Sequence, residues 1–345
     1  GGSLDHSNVV WIGILSVGVA AQVLAWNAGP ILLLPLAFYG VFRALTAIKH
    51  GSSLRADSQL VVGVLIGGIF SMVAHFTLGW QQLYIVSTPI ILAIGLGAVF
   101  ILGEASRRRQ LSPVIFSSGV FVLGGLLLAL AFLVVPEFGV EFTEEINRLT
   151  FGSEENISEV ASIFSPAYGT ISGPFFFFGL SLFFSLWYLA RSLYVTWSEG
   201  RPEWLLIGSY SVVLFCLAIL QVRFAGELAM FAAIYAGLGL VDLAAITGVG
   251  TRPSLGGEPH RTEQQPSHSE REEWIRVPDR HTIFTIGAIF LLIGGLGAVM
   301  SPLRMNTVAV DDETYNAAVW MESDSAQQDW EYPENYVLSP WSQNR

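Results

Sequence analysis

With 345 residues, 52% of them hydrophobic, a mean hydropathy of +0.54 and 13% charged, the chain falls far below the roughly one quarter charged residues of a soluble globular domain. A formal net charge of −11 argues against nucleic acid as a partner. The single cysteine, Cys216, excludes an intrachain disulfide or a cysteine metal site. What remains is an all-α polytopic membrane protein. No signal peptide is visible at Gly1-Gly2-Ser3, and the sequence begins and ends as if cut from something longer.

A bilayer core of roughly 30 Å needs about 20 apolar residues per helix, and lipid offers backbone groups no partners, so each span must be helical. Nine stretches qualify, at about 9–27, 29–48, 60–80, 84–104, 114–136, 174–197, 204–222, 227–247 and 282–301. The first two are separated by a helix-breaking turn at Asn27 to Pro30. Gly63 and Gly67 form a small-xxx-small pair where two helices can approach closely, a packing signal before it is a functional one.

Lys and Arg fall in alternate connections: Arg43, Lys49 and Arg55; Arg107 to Arg109; Arg191 and Arg201; then Arg252, Arg261, Arg271, Arg276 and Arg280. The positive-inside rule makes these cytoplasmic. A multi-pass cell-membrane protein results, with helices over 1–136 and 174–247 and a last span at 282–301. The 137–173 loop and the 302–345 tail are then extracellular, and the Pro- and Ser-rich 248–281 linker is cytoplasmic. The acid is concentrated in the two extracellular segments. The tail, with Tyr315, Trp320, Trp330, Tyr336 and Trp341, reads as the start of an external soluble domain too short to hold a core alone.

Two residues stand out chemically. Glu159 lies in the long acidic loop, where a carboxylate can bind a divalent cation or accept a hydrogen bond from an amide. It can equally be one of seven solvated acids, and Asn156-Ile157-Ser158 also reads as a glycosylation acceptor. Arg223 follows the apolar run Leu217 to Val222, where a guanidinium costs up to about 3 kcal/mol unless paired or snorkelling. Its planar fork suits phosphate, and the structural alternatives are a pair with Glu227 or an interface anchor. His75, Glu104 and Asp242 read as satisfied interfacial groups, and Asp5-His6, as a metal pair, falls on the opposite side from the acidic loop. Trp26, Trp80, Trp197 and Trp204 fit an aromatic belt.

Four segments, in order, resemble the archaeal AglB-type oligosaccharyltransferase family. Leu24-Ala25-Trp26-Asn27-Ala28-Gly29-Pro30 resembles its Trp-Gly turn, and Asn156-Ile157-Ser158-Glu159 its Thr-Ile-x-Glu loop motif. Gln221-Val222-Arg223-Phe224 resembles the segment whose arginine faces the lipid-linked phosphate. Tyr315 to Met321, followed by Tyr336-Val337-Leu338-Ser339-Pro340-Trp341, is similar to the approach to its Trp-Trp-Asp-Tyr-Gly motif. Only Trp341 of that motif is kept, with Ser342-Gln343-Asn344 following, as in a haloarchaeal-like variant.

The resemblance implies a GT-C-type bundle whose fifth to thirteenth helices are seen here, plus the start of the external domain. It implies glycosyltransfer from a dolichol-phosphate-type carrier to asparagine in N-x-S/T sequons, with a divalent cation, Mg or Mn. Glu159 would touch metal or acceptor amide, Arg223 and Trp26 the lipid phosphate, and Trp341 the acceptor. The partners would be a lipid-linked oligosaccharide, an acceptor polypeptide and membrane lipid. The family's Asp-x-Asp-type ligands lie before the first helix seen here, so this portion alone is expected to be inactive. A different lipid-phosphate-sugar glycosyltransferase, a transporter or scaffold, and a loop that is only a passive linker are the alternatives. Against the transporter, almost no ionisable residue lies in the middle of the spans, and paired short or broken spans are not seen in the sequence.

Overall fold

The computed structural model describes residues 6–134, 161–166, 170–247, 279–291 and 312–328, with the isolated positions 140, 143 and 147. Glu159, Trp341 and the linker from 248 to 278 lie outside the described residues. The chain is an all-α polytopic membrane protein. Its helices are α1 (His6–Ala25), α2 (Leu34–His50), α3 (Ser58–Leu78), α4 (Leu83–Arg108), α5 (Pro113–Val134), α6 (Ser172–Phe178), α7 (Ser181–Glu199), α8 (Leu205–Leu220), α9 (Ala225–Ile246), α10 (Arg280–Phe290) and α11 (Asp312–Gln327). Among the described residues, six segments are long and apolar enough to cross a membrane: Asn8–Ala25, Gly29–His50, Ser58–Leu78, Leu83–Arg108, Pro202–Leu220 and Val222–Ile246.

The expected sixth span, 174–197, is interrupted. Helix α6 closes at Gly179, whose amide bonds the Phe175 carbonyl at 2.8 Å and whose backbone turns to φ 61, ψ −149. That region is essentially closed to residues with a Cβ. The Ser181 hydroxyl then donates to the Phe178 carbonyl, and α7 starts. Periodicity is blind to such a break because the flanking residues are as apolar as an unbroken span.

Two compact units divide the chain, and the division passes through α7 and α8. One holds residues 1–144, 187–216 and 254–267, the other 145–186, 217–253 and 268–345. In the first, α1 lies directly on α3. A Cβ on Gly67 would fall 2.8 Å from the Ser16 carbonyl oxygen and 2.9 Å from Val19 Cβ, and the Ser16 hydroxyl donates across the interface to the Gly63 carbonyl at 3.0 Å. The small-xxx-small pair is therefore a packing device. Val19, Val23, Leu33, Leu36, Val64, Ile85, Val86 and Ala93 form the core between α1, α2, α3 and α4.

The loop between α2 and α3 is closed by a buried ion pair. Arg43 Nη2 lies 3.1 Å from Asp57 Oδ2, and Arg43 also donates to Asp57 Oδ1, Ser52 Oγ and the Ser53 carbonyl. Tyr39 donates its hydroxyl to the same carboxylate at 3.1 Å. Lys49 Nζ reaches the Trp197 carbonyl at 2.7 Å, where the end of α7 leaves a carbonyl without a helical partner.

In the second unit, Ser185 on α7 donates to the Ala232 carbonyl on α9 at 2.6 Å. Gly239 lets Phe184 approach α9 closely. Helix α10 packs against α9 through Ile289 and Ala236.

Removing Asp57 would leave a buried guanidinium uncompensated, which costs about 3–5 kcal/mol. Asp57→Ala is therefore expected to lower the midpoint of unfolding in detergent steeply, and an unchanged midpoint would show the pair to be unimportant. Gly67→Val, which drives a side chain into Val19, is expected to cost about 1–3 kcal/mol in the same assay.

Candidate functional site

The site is built on the way α8 ends. An α-helix leaves its last carbonyls without partners, and inside a membrane those groups must find them within the protein. At the end of α8 the Gln221 amide still bonds the Leu217 carbonyl, at 2.7 Å. The next rung would be Val222 N–H to the Ala218 carbonyl, and it is not made. Gln221 instead turns to an extended backbone, φ −144 and ψ 124. Val222 N–H donates to the Ala161 carbonyl at 2.7 Å, and the Ala218 carbonyl accepts from Ile163 N–H at 3.4 Å.

One helical rung is thus replaced by two bonds to the described end of the acidic loop. The apolar side chain that secures this segment is Ile163, which is 0% exposed. A turn follows, with Ser165 N–H on the Ser162 carbonyl at 2.9 Å and Phe164 N–H on Ser162 Oγ at 3.1 Å. The loop is therefore not merely a passive linker at this end.

Val222, Arg223 and Phe224 then form a single 3-10 turn leading into α9. Phe224 and Gln221 are fully buried around it. Arg223 is half-buried, its Nε and Nη2 atoms closed to solvent, with Cζ 4.9 Å from the centre of the Phe224 ring. Glu227 sits in the first turn of α9 with Oε2 buried. The guanidinium is held at a helix junction with the loop segment bonded to the residue beside it.

Trp26 belongs to the other unit. Its carbonyl accepts from Gly29 N–H at 2.9 Å in a turn that opens a 3-10 segment, Gly29–Leu33. A Cβ on Gly29 would lie 2.3 Å from the Gln22 carbonyl oxygen, so only glycine fits there. Gln22 Nε2 donates to the Gly29 carbonyl and Gln81 Nε2 to the Leu24 carbonyl, which tie the turn down. The same unit contains a cavity of about 500 Å³ lined only by apolar side chains: Leu34, Ala37, Phe38, Val41 and Phe42 on α2, and Val213 on α8.

The weaker candidates lie near helix ends. Glu104 is shared by Arg107 at 2.6 Å and Arg108 at 3.0 Å. His75 Nδ1 lies 3.1 Å from the Gln81 carbonyl. Asp242 sits half-buried toward the end of α9. Asp5 lies outside the described residues, as do Glu159 and Trp341. Among the described residues no set of three His, Cys, Asp or Glu side chains could hold a metal ion, so these residues by themselves do not fit a divalent cation. Sequence reading named Gln221 only within the Gln221-Val222-Arg223-Phe224 segment and missed Ala161, Ile163 and Gly179. A polar Gln221 ending an apolar run was the one visible hint.

No protein-family model and no curated sequence matches the chain. Among solved structures, the archaeal oligosaccharyltransferase AglB from Archaeoglobus fulgidus in complex with an inhibitory peptide and a dolichol-phosphate is similar over 98% of this chain, with a TM-score of 0.68 and 16% identity. The oligosaccharyltransferase of the same organism tethered with an acceptor peptide containing the NVT sequon matches 96% of the chain with a TM-score of 0.63, and its apo form 99% with 0.64, each at 16% identity. This chain spans 40%, 38% and 41% of those chains. The likeness is one of fold.

Replacing Val222 by proline deletes the donor to Ala161 at a position that suits proline, since the preceding Gln221 is already extended. Val222→Pro is expected to raise amide exchange over 160–166 by about five-fold, the loss of a hydrogen bond of about 1 kcal/mol. Unchanged protection there would mean that the bond does not hold the loop.

Proposed function

We propose that this chain is the central membrane part of an enzyme that transfers an oligosaccharide from a dolichol-phosphate-type carrier to asparagine in N-x-S/T sequons of exported proteins. The observation that carries the reading is the bond between Val222 and Ala161, which ties the acidic loop to the arginine turn two residues after Glu159. The fold likeness supports it, because the solved oligosaccharyltransferases were captured with a dolichol-phosphate in one case and a sequon peptide in another.

In this reaction the asparagine amide nitrogen bonds the anomeric carbon of the glycan and one amide proton is released. The bond from that carbon to the phosphate oxygen breaks, and its electrons stay with the phosphate. Arg223 holds the phosphate and stabilises the charge that grows on it, a role suited to a planar, permanently charged fork in water-poor surroundings. Its contact with the Phe224 ring fixes the fork's approach. Trp26 borders the lipid phosphate.

Glu159 accepts a hydrogen bond from the acceptor amide and is the residue that would face a divalent cation, Mg or Mn. No step assigned to this chain runs through that cation. Trp341 contacts the acceptor in a recognition domain that begins at 302–345. The acidic loop and that domain share the extracellular side, with the 248–281 linker cytoplasmic. The haloarchaeal-like variant at Trp341 rests on sequence alone.

In the longer enzyme reconstituted with lipid-linked glycan and a sequon peptide, Arg223→Ala is expected to lower turnover by about 100-fold or more. Near-normal turnover would remove Arg223 from the mechanism. The 345-residue chain alone is expected to transfer nothing. Glycan found on a sugar acceptor in place of asparagine would favour the related glycosyltransferase reading.

A further inference from the structure

Five arginines gather where the loop between α2 and α3 docks on the end of α4. Leu54, buried at 3% exposure, packs among Ala44, Ala47, Phe100 and Phe116 and pins the loop. Arg107 Nη1 donates to the Gly51 carbonyl at 3.3 Å, so Arg55 is carried to the end of α4 that bears Arg107, Arg108 and Arg109. The acids on these segments are already engaged: Asp57 by Arg43 and Tyr39, and Glu104 by Arg107 and Arg108. Arg55 and Arg109 are exposed and make no ion pair among the described residues, and Arg108 is 60% exposed despite its contact with Glu104.

With five arginines against two carboxylates, this corner is strongly basic on a chain whose formal net charge is −11. What lies beneath the guanidiniums is equally specific. Ile101 and Leu102 precede Arg108 and Arg109 by seven residues, two helical turns, and so share their faces of α4. Both are exposed, Ile101 at 72%, as are Val114 and Ile115 in the first turn of α5. Exposed Ile101 and Leu102 roughly 10 Å below a rim of exposed guanidiniums, with Val114 and Ile115 beside them, have the two-part chemistry of a phospholipid.

We propose that Arg55, Arg108 and Arg109 form a binding site for the headgroup of an anionic glycerophospholipid, with Ile101, Leu102, Val114 and Ile115 receiving its acyl chains. Arg43 and Arg107 build the site without contacting the lipid, because their guanidiniums are spent on Asp57, the loop carbonyls and Glu104. The apolar wall distinguishes a bilayer lipid from a free phosphate or an acidic peptide, neither of which would need it. The inference stands apart from the proposed glycan transfer and uses none of its residues.

The test is native mass spectrometry of the full 345-residue chain in detergent with phosphatidylglycerol or phosphatidylcholine added. The unaltered chain is expected to retain phosphatidylglycerol in preference, and the triple variant Arg55→Ala, Arg108→Ala, Arg109→Ala to lose that preference by about 100-fold, since each basic side chain at an anionic surface contributes roughly five-fold. The double variant Arg55→Gln, Arg109→Gln, which breaks no side-chain hydrogen bond or ion pair among the described residues, is expected to lose roughly 25-fold, on the same five-fold basis. A triple change of Arg252, Arg261 and Arg271 to Ala removes the same charge from the 248–281 linker and is expected to leave retention intact. The proposal is overturned if the first two variants keep phosphatidylglycerol as the unaltered chain does, if the control loses it equally, or if millimolar inorganic phosphate or a poly-glutamate peptide displaces it.

Discussion

The structure turns on a single exchange of backbone hydrogen bonds at the end of α8. A helix that ends leaves carbonyls without helical partners, and where protein covers them they must find partners within the protein. Here the rung from Val222 to Ala218 is opened and both groups are given to the loop segment at Ala161 and Ile163. Both groups of the opened rung find new partners, so the chain can turn at Gln221, present Arg223 on a tight 3-10 turn and resume as α9. A straight helix would have carried Arg223 on with the rest of its face; the turn and the loop segment are therefore one construction.

The same economy governs the rest of the second unit. The interruption at Gly179 is tolerated because Ser181 bonds the Phe178 carbonyl and Gly179 itself bonds Phe175. Beyond the break, Ser185 joins α7 to α9 through the Ala232 carbonyl. Small hydroxyl side chains thus satisfy backbone groups where helices end or meet, in the manner expected when water is absent. In the first unit the corresponding devices are Ser16 on the Gly63 carbonyl and the glutamines Gln22 and Gln81 around the Trp26 turn.

Much of this was legible in the sequence, and the limits have physical causes. Six of the nine spans match apolar segments long enough to cross a membrane among the described residues, because such a helix needs length and apolarity and little else, and Gly63 and Gly67 announced a close approach that Ser16 and Val19 make. Arg223 was readable because a base in an apolar run is costly. A pair with Glu227 was one structural alternative, drawn from helical spacing, and the 3-10 turn at Val222–Phe224 interrupts that spacing. The sixth span was read as continuous because Gly179 sits among phenylalanines and leaves hydropathy unchanged. Nothing in Ala161 or Ile163 marks them as the loop's anchor: their contribution is a carbonyl, an amide and burial, which no residue type advertises.

The proposed chemistry follows from this construction. Glycan transfer needs a cation at the lipid phosphate and a carboxylate at the acceptor, and the backbone exchange ties the loop that carries Glu159 to the turn that carries Arg223. The most direct test is oxidative cross-linking of Ala161→Cys with Val222→Cys in a Cys216→Ser background, read by peptide mass spectrometry. A backbone N–H···O pair brings Cα atoms to about 5–6 Å, within reach of a disulfide. The expected result is one cross-linked species joining the two segments. Two thiols that both stay free under oxidant would contradict the account, because the loop would then not be held at the arginine turn.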